Sequence, residues 1–295
     1  MKEIISIFGA SVTQQKNGYS YILSKKLLNT DTRIFGYGGN HIDDAGILFI
    51  DNVININSNY CFIDFFTTAY DSISDLTIEY LDTIVYKLTN SKCKIIFLFL
   101  LTSDYDNRIK FYNFVKNYIT SKNLYYIDIN DFLKYNLNLI KDNVHTTDIG
   151  SAKYADIIYD VFQKDKDKID YPINITKTQF CDIKKINVNK IFKNNIILEG
   201  DCFIIAFYLI IGPKSGFIDI NGTKECIWDQ WCHYDRSHFN LKKITVKDKL
   251  EIKILPDKVD YSSCRRNITK PCISKELNVI DIYYIGNKLN ILQGK

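Results

Sequence analysis

Three polar residues, far apart along the chain, have the types needed for nucleophilic catalysis. Ser11 ends the stretch "SIFGAS", where an apolar run turns polar, and Asp142 and His145 stand three residues apart in "DNVH". A short turn at this spacing can place the carboxylate beside the imidazole ring, where it fixes the tautomer and stabilises the imidazolium. A serine brought to that ring would complete a nucleophile and base. Each residue alone also fits a structural role, in a strand-to-helix turn or at a helix start.

A glycine-rich loop, "GYGGNHIDD", adds candidate hydrogen-bond donors. Gly38 and Gly39 lack side chains, so their backbone N–H groups can approach a ligand closely, as an oxyanion hole requires. A plain tight turn is the structural alternative. The loop is not a dinucleotide-binding fingerprint, because it follows the second predicted strand and lacks the full G-x-G-x-x-G pattern.

The end of this loop forms a polar cluster. His41 is a candidate substrate contact, the alternative being a structural histidine whose hydrogen bonds are satisfied within the protein. Asp43 or Asp44 is predicted to cap the helix that follows.

The first 163 residues alternate short apolar runs with amphipathic segments of helix length. This alternation predicts a parallel sheet with helices on both faces. Ligands bind such sheets at the carboxyl ends of the strands, where the loops with Ser11, Gly39 and His145 are expected. The predicted strands are 3–8, 32–37, 60–66, 94–101 and 124–129, and the predicted helices are 18–29, 43–55, 74–90, 107–122 and 148–163.

These motifs, in this order, resemble those of the SGNH hydrolases, also called GDSL-like esterases. The family's Gly-Asp-Ser strand exit corresponds to residues 9–11, with alanine in place of aspartate, and its Asp-x-x-His motif corresponds to residues 142–145. Its second motif matches "GYGGN", where Gly39 is the counterpart of the oxyanion-hole glycine. The resemblance covers residues 1–163 and implies a flavodoxin-like parallel sheet and a Ser-His-Asp triad that needs no cofactor.

The third family motif departs from the usual pattern. The family has Gly-x-Asn-Asp after the third strand, and the asparagine side chain donates to the oxyanion; this chain has "FFTTAYD", with Thr68 at the asparagine position. Either the Thr68 hydroxyl or the side chain of Asn40 could supply the missing donor. Loss of one such donor costs roughly 2.7–4 kcal/mol of transition-state stabilisation. The departure therefore indicates a replacement donor or altered chemistry.

The pattern changes after residue 163. Residues 164–172 are charged and end in proline, as expected for a linker. Strand-like runs separated by turns then follow without helices, which predicts an antiparallel, β-sandwich-like domain over residues 173–295.

One segment of this β region, residues 226–239, is rich in aromatic and charged side chains. Trp228, Trp231 and Arg236 are typical of a sugar-binding surface, where rings stack on C–H edges and charged groups bind hydroxyls. A packing loop between domains is the alternative. No metal site is predicted, because the cysteines and histidines here lack the paired spacing of zinc ligands.

The net charge and the lengths of the apolar runs argue against two classes of partner, nucleic acids and membranes. The net charge of +4 arises from 38 basic and 34 acidic residues and is too small to indicate nucleic-acid binding. The N-terminal apolar run is too short for a signal peptide, and no apolar run is long enough for a membrane span. We therefore expect a cytoplasmic protein of unknown oligomeric state.

The sequence thus predicts a serine esterase that acts on an O-acyl ester of a carbohydrate. One alternative is a transferase that moves an acyl or other activated group onto a sugar hydroxyl in cell-surface polysaccharide biosynthesis, with an activated sugar as a possible substrate. A second alternative, from another class, is a non-catalytic glycan-binding module. The carbohydrate substrate comes from the family resemblance and not from the residues themselves.

Overall fold

A computed structural model describes residues 2–68, 75–264, 266 and 275–293 of the chain. The chain forms two compact units, Met1–Cys181 and Asp182–Lys295.

A five-stranded parallel sheet forms the centre of the first unit. The strands lie in the order β2-β1-β3-β4-β5, and every neighbouring pair is parallel. This is the strand order of a flavodoxin-like sheet, so the predicted fold class is confirmed. The order reverses between β1 and β3, which is where such sheets open a crevice for ligands. The strands are β1 (Glu3–Gly9), β2 (Thr30–Gly36), β3 (Tyr60–Asp64), β4 (Lys94–Phe99) and β5 (Tyr125–Asp128).

The inner strands are apolar throughout because they are covered on both faces. All of β3 is buried, and β4 is buried except at its first residue. Continuous apolar runs of this kind are typical of parallel sheets. The edge strand β2 has no fully buried residue. The core around the sheet includes Ile5, Ile7, Phe62, Ile96, Leu98, Ile127, Tyr154, Ile158 and Phe162.

Helices connect the strands and flank the sheet. In α7 the buried residues Ser151, Tyr154, Ala155, Ile158 and Phe162 recur at helical spacing and form the face that packs on the core. Among the helices that the structure describes, none is long and apolar enough to cross a lipid bilayer. The helices are α1 (Ser11–Gln14), α2 (Tyr19–Lys26), a π-helix (Ile42–Gly46), α3 (Ile50–Ile54), α4 (Asp75–Asn90), α5 (Tyr105–Ser121), α6 (Ile129–Leu133) and α7 (Asp148–Asp165).

The segment after α7 packs on the first unit. Ile169 is fully buried in its core, and the ring of Phe180 lies 5.0 Å from that of Tyr80. Thr178 also shares a hydrogen bond of 2.6 Å with Thr83. The first unit therefore extends to Cys181, beyond the sequence-based boundary at residue 163, because these contacts continue through the expected linker.

The second unit is an antiparallel sheet of six strands, as the sequence predicted for this region. Its strands lie in the order β6-β11-β7-β10-β8-β9. The three long central strands carry bulges, which bend strands and increase their twist. The strands are β6 (Lys184–Phe192), β7 (Asn195–Ile211), β8 (Phe217–Ile220), β9 (Thr223–Cys226), β10 (Arg236–Leu255) and β11 (Leu277–Gln293). Their separate core includes Ile196, Leu198, Ile204, Phe207, Leu209, Val246, Leu250, Val279 and Ile282.

Candidate active site

Ser11 lies where β1 passes into α1, at the carboxyl end of the parallel sheet. The Ala10 N–H donates to the Asp64 carbonyl oxygen at 2.8 Å, and the Tyr37 N–H donates to the Gly9 carbonyl oxygen at 2.9 Å. A Cβ atom at Gly9 would lie 2.3 Å from the same Asp64 oxygen, so the turn requires glycine. The backbone that presents Ser11 is thus fixed against both neighbouring strands.

His145 and Asp142 are in direct contact, as their spacing predicted. The ring Nδ1 lies 2.9 Å from Asp142 Oδ2 and 3.1 Å from Oδ1, and Oδ1 also accepts the backbone N–H groups of Val144 and His145. Partial burial opposes ionisation of Asp142, but these hydrogen bonds outweigh it and hold its pKa below the ordinary value. The carboxylate therefore favours a proton on Nδ1, which leaves Nε2 as the acceptor.

The loop that carries this pair is held on both sides. The Lys141 N–H donates to the His145 carbonyl oxygen at 2.8 Å, and the Ser103 N–H donates to the Asn143 carbonyl oxygen at 2.9 Å. The next helix, α7, begins only after Thr147, its N-cap. His145 is therefore a loop residue, and Asp142 does not cap that helix.

Gln15 connects the Ser11 segment to the loop of the histidine. Its side chain makes three hydrogen bonds to Thr146, the residue next to His145. Ser11 Oγ and the His145 ring are not hydrogen-bonded to each other in this structure. Catalytic hydrogen bonds are often long without substrate and tighten when substrate binds.

The glycine-rich loop lies beside Ser11. The Gly38 N–H donates to Gln14 Oε1 at 2.7 Å, and a Cβ atom built on Gly38 would lie 3.8 Å from the Ser11 Cβ. Gly39 has a φ of +71° and open space where a side chain would be. Asn40 Nδ2 donates to the Gly38 carbonyl oxygen at 2.9 Å. Because the Gly38 N–H is already bonded to Gln14, Gly39 is the better candidate for an oxyanion donor.

His41 and Asp44 form a reciprocal cap at the start of the π-helix. Asp44 Oδ1 accepts the His41 N–H at 2.6 Å, and the His41 side chain accepts the Asp44 N–H. Burial raises the pKa of Asp44 to about 7, although hydrogen bonds from Ala45 and His41 oppose the rise. The N-cap residue is His41, and not Asp43 or Asp44 as predicted. Asp44 lies in the first turn of the helix and accepts the His41 N–H from there.

The segment of the third motif begins with the short helical turn Phe66–Thr68. The side chain of Thr68 and residues 69–74 lie outside the described residues, so the oxyanion role of Thr68 stays a prediction. Arg108, from α5, donates from Nη1 to the Thr67 carbonyl oxygen at 2.6 Å. Arg108 does not stand out in the sequence, because an arginine near a helix start is common on protein surfaces.

A second residue near the site that was not predicted from the sequence is Asp64, at the end of β3. It is fully buried, and its Oδ2 accepts the Thr13 hydroxyl at 3.2 Å. That hydroxyl also lies 2.8 Å from the Tyr19 hydroxyl. Burial raises the pKa of Asp64 to about 7, and the Thr13 hydrogen bond opposes the rise. The available signal was a carboxylate inside the apolar run "CFIDFF".

The predicted sugar contacts of the β region belong to the second unit. Arg236 forms an ion pair with Asp229, whose Oδ1 also accepts the Trp231 backbone N–H at 2.9 Å. The Trp228 ring lies 5.5 Å from that of Tyr261, whereas Trp231 is 39% exposed. Trp231 is thus the more accessible tryptophan.

Within the described part of the chain, no group of three or more His, Cys, Asp or Glu side chains could hold a metal ion.

Two solved structures match nearly the whole chain. The crystal structure of a two-domain esterase active on acetylated mannans, co-crystallised with mannopentaose, matches 97% of this chain and 91% of its own, with a TM-score of 0.69 and 14% identity. A second crystal structure of a two-domain esterase active on acetylated mannans covers 98% of this chain and 92% of its own, with a TM-score of 0.67 and 13% identity. No protein-family model matches the chain, and no curated protein matches it significantly.

These two likenesses show the fold. Both cover the parallel α/β unit and the antiparallel unit, so this two-domain architecture is shared with esterases of known structure. The fold that the resemblance to SGNH hydrolases implied is therefore confirmed.

Proposed function

We propose that this protein is a serine esterase of the SGNH type that removes acyl groups from a carbohydrate. The observation that carries the proposal is the contact between His145 Nδ1 and Asp142, on a loop that Gln15 ties to the segment beginning at Ser11. This arrangement supports a nucleophile, a base and an orienting carboxylate at one edge of the sheet.

In the proposed reaction, Ser11 Oγ attacks the ester carbonyl carbon while His145 Nε2 takes the hydroxyl proton. Asp142 stabilises the resulting imidazolium through its contact with Nδ1. The imidazolium then protonates the leaving sugar oxygen, and the acyl group stays on Ser11. Water, deprotonated by the same ring, releases the acid and restores the serine.

The tetrahedral intermediates need donors for their oxyanion. We assign the backbone N–H groups of Ser11 and Gly39 to this role, with Thr68 or Asn40 replacing the family's asparagine. Support comes from Gln14, which occupies the Gly38 N–H and fixes the glycine loop beside Ser11. Preorganised donors of this kind supply much of the rate enhancement in acyl transfer.

An acylated polysaccharide is the proposed substrate class. The two solved structures that share both domains are described as active on acetylated mannans, and one was crystallised with mannopentaose. We propose His41, Trp228, Trp231 and Arg236 as sugar contacts, because aromatic rings and charged groups suit pyranose faces and hydroxyls. The cytoplasmic location stays a prediction from the sequence.

The first test is covalent labelling and ester turnover. Wild-type protein, Ser11→Ala and His145→Ala are incubated with a fluorophosphonate probe, p-nitrophenyl acetate and acetylated mannan oligosaccharides. We expect labelling and acetate release by the wild type and losses of at least about a hundredfold in both variants. Equal signals in all three proteins would remove the esterase proposal and favour a glycan-binding module.

A second measurement separates hydrolysis from transfer. Mass spectrometry of a reaction containing an unacetylated acceptor oligosaccharide distinguishes free acetate from acetyl groups moved onto the acceptor. Free acetate alone is expected for the esterase. Acetylated acceptor as the main product would replace the proposal with the transferase alternative.

A further inference from the structure

The Gln15 side chain uses both ends of its amide group on a single residue of the opposite loop. Oε1 accepts the Thr146 backbone N–H at 3.1 Å and the Thr146 hydroxyl at 3.2 Å, while Nε2 donates to the Thr146 carbonyl oxygen at 2.8 Å. The two residues are 131 positions apart in the sequence. Three bonds to one residue define both the distance and the direction of approach between the two segments.

This connection joins the two reacting groups by a short route. Gln15 directly follows α1 as its C-cap, one helical turn after Ser11, and Thr146 directly follows His145. Gln15 is half-buried, and Thr146 is buried with its hydroxyl also 2.6 Å from Ser151 Oγ. The Gln15 contact therefore lies one helical turn from the nucleophile and one residue from the histidine.

The neighbouring glutamine makes a different connection from the same helix. Gln14 is exposed and accepts one N–H, that of Gly38, at 2.7 Å. Consecutive glutamines thus bind the two loops that flank Ser11, one loop each. Of these two glutamines, Gln15 is the one that contacts the loop of His145.

We infer that Gln15 is a positioning residue that sets the distance and angle between Ser11 Oγ and the His145 ring. The inference rests on the proposed function, because the distance matters only if the two groups react together. Gln15 touches neither reacting atom; it acts through Thr146. A displacement of about 1 Å between reacting groups can reduce a rate roughly a hundredfold, so loss of these bonds should be visible in kcat.

The test compares Gln15→Leu and Gln15→Glu with the wild type in steady-state turnover of p-nitrophenyl acetate. Leucine removes all three bonds, and we expect kcat to fall about 10- to 100-fold with KM changed less than about threefold. Glutamate keeps the acceptor for the Thr146 N–H and hydroxyl but loses the donor. We therefore expect its kcat between those of the wild type and Gln15→Leu.

Ser151→Ala is the matched control, because it removes a hydrogen bond from the same Thr146 on the side of α7. Its melting temperature should fall about as much as that of Gln15→Leu, while its kcat stays within about threefold of the wild type. Equal losses of kcat in Ser151→Ala and Gln15→Leu would show a merely structural role and overturn the inference. If Gln15→Leu fails to fold, the comparison is made between Gln15→Glu and Ser151→Ala.

Failure of the inference and failure of the proposed function give different results. If Ser11→Ala and His145→Ala lose turnover but Gln15→Leu and Gln15→Glu keep the wild-type kcat, the esterase proposal stands and the positioning role is wrong. If Ser11→Ala and His145→Ala keep wild-type turnover, or the wild type neither turns over ester nor reacts with fluorophosphonate, the proposed function fails and this inference fails with it.

Discussion

The buried carboxyl group of Asp64 accepts a hydrogen bond from the hydroxyl of Thr13, two residues beyond the candidate nucleophile, at a distance of 3.2 Å. Among the described residues, its other oxygen has no hydrogen-bond partner. A carboxylate in this position costs free energy unless it is protonated. Asp64 therefore makes the stability of the first unit depend on pH.

Asp64→Asn should remove this dependence. In the unfolded chain an aspartate ionises near pH 4, whereas burial raises the pKa of Asp64 to about 7 in the folded protein. Between these values the folded state binds the extra proton, so the stability contributed by Asp64 is full below about pH 4 and is lost as pH rises to about 7. As the pH rises from 5 to 8, the wild type should therefore lose roughly 2–3 kcal/mol of unfolding free energy that Asp64→Asn keeps.

Urea unfolding at several values between pH 5 and pH 8 measures this difference. Asp31→Asn, which changes an exposed carboxylate paired with Arg33, is the control and should follow the wild-type pH dependence. Parallel stability curves for Asp64→Asn and the wild type would contradict the prediction.

Asp142→Asn should lower kcat with little change in KM. Asparagine can still accept the backbone N–H groups of Val144 and His145, but it lacks the charge that stabilises the imidazolium. Asp142 is 51% exposed, so water partly replaces its charge. We expect a loss of about 10- to 100-fold, below the roughly 10⁴-fold effect at a buried triad aspartate.

Steady-state kinetics on p-nitrophenyl acetate check this, with Asp148→Asn as the control. Asp148 is an exposed carboxylate in the first turn of α7, three residues beyond His145. Similar losses in both variants would mean that general charge near the loop, and not the contact with the ring, sets the rate.

Arg108→Gln should reduce kcat/KM about tenfold, because the Phe66–Thr68 turn would lose the guanidinium that donates to the Thr67 carbonyl oxygen. Thr68, the proposed counterpart of the family's oxyanion-donor asparagine, is the last residue of this turn. Asp104→Asn removes the ion pair between Asp104 and Arg108 but leaves the contact with Thr67 in place. Its kcat/KM should stay within about threefold of the wild type, and an equal loss in both variants would refute the assignment.

Trp231→Ala should weaken binding of mannan oligosaccharides without a large change in stability, because the side chain is 39% exposed. Trp228→Ala should weaken the same binding and also destabilise the second unit, since Trp228 packs on its core and against Tyr261. Isothermal titration calorimetry with oligosaccharides, together with thermal unfolding, separates the two effects. Unchanged affinity in Trp231→Ala would exclude this ring from the proposed sugar surface.

The sequence was sufficient to predict the strands of the first unit and most of its helices. Their apolar residues recur at local periods, and burial on one or both faces follows from those periods. The segment 43–55 was predicted as one helix, but it is a π-helix followed by α3. The cap that joins His41 to the buried Asp44 depends on what packs around this segment, so periodicity alone did not predict it.

In the candidate site, too, one contact was predictable from the sequence and another was not. The contact between Asp142 and His145 was predictable, because a separation of three positions in one short turn brings their side chains together. The contact of Gln15 was not predictable, because its partner Thr146 is 131 residues away and the two meet only when the whole first unit folds.

The sequence by itself determined the types of the proposed reacting groups, their order along the chain and the parallel sheet that carries them, because local periodicity and short-range spacing fix these. The tertiary structure alone decided how the loops are tied together and how deeply Asp64 is buried. Those features depend on contacts between segments distant in sequence, whose geometry arises only when the helices pack around the finished sheet.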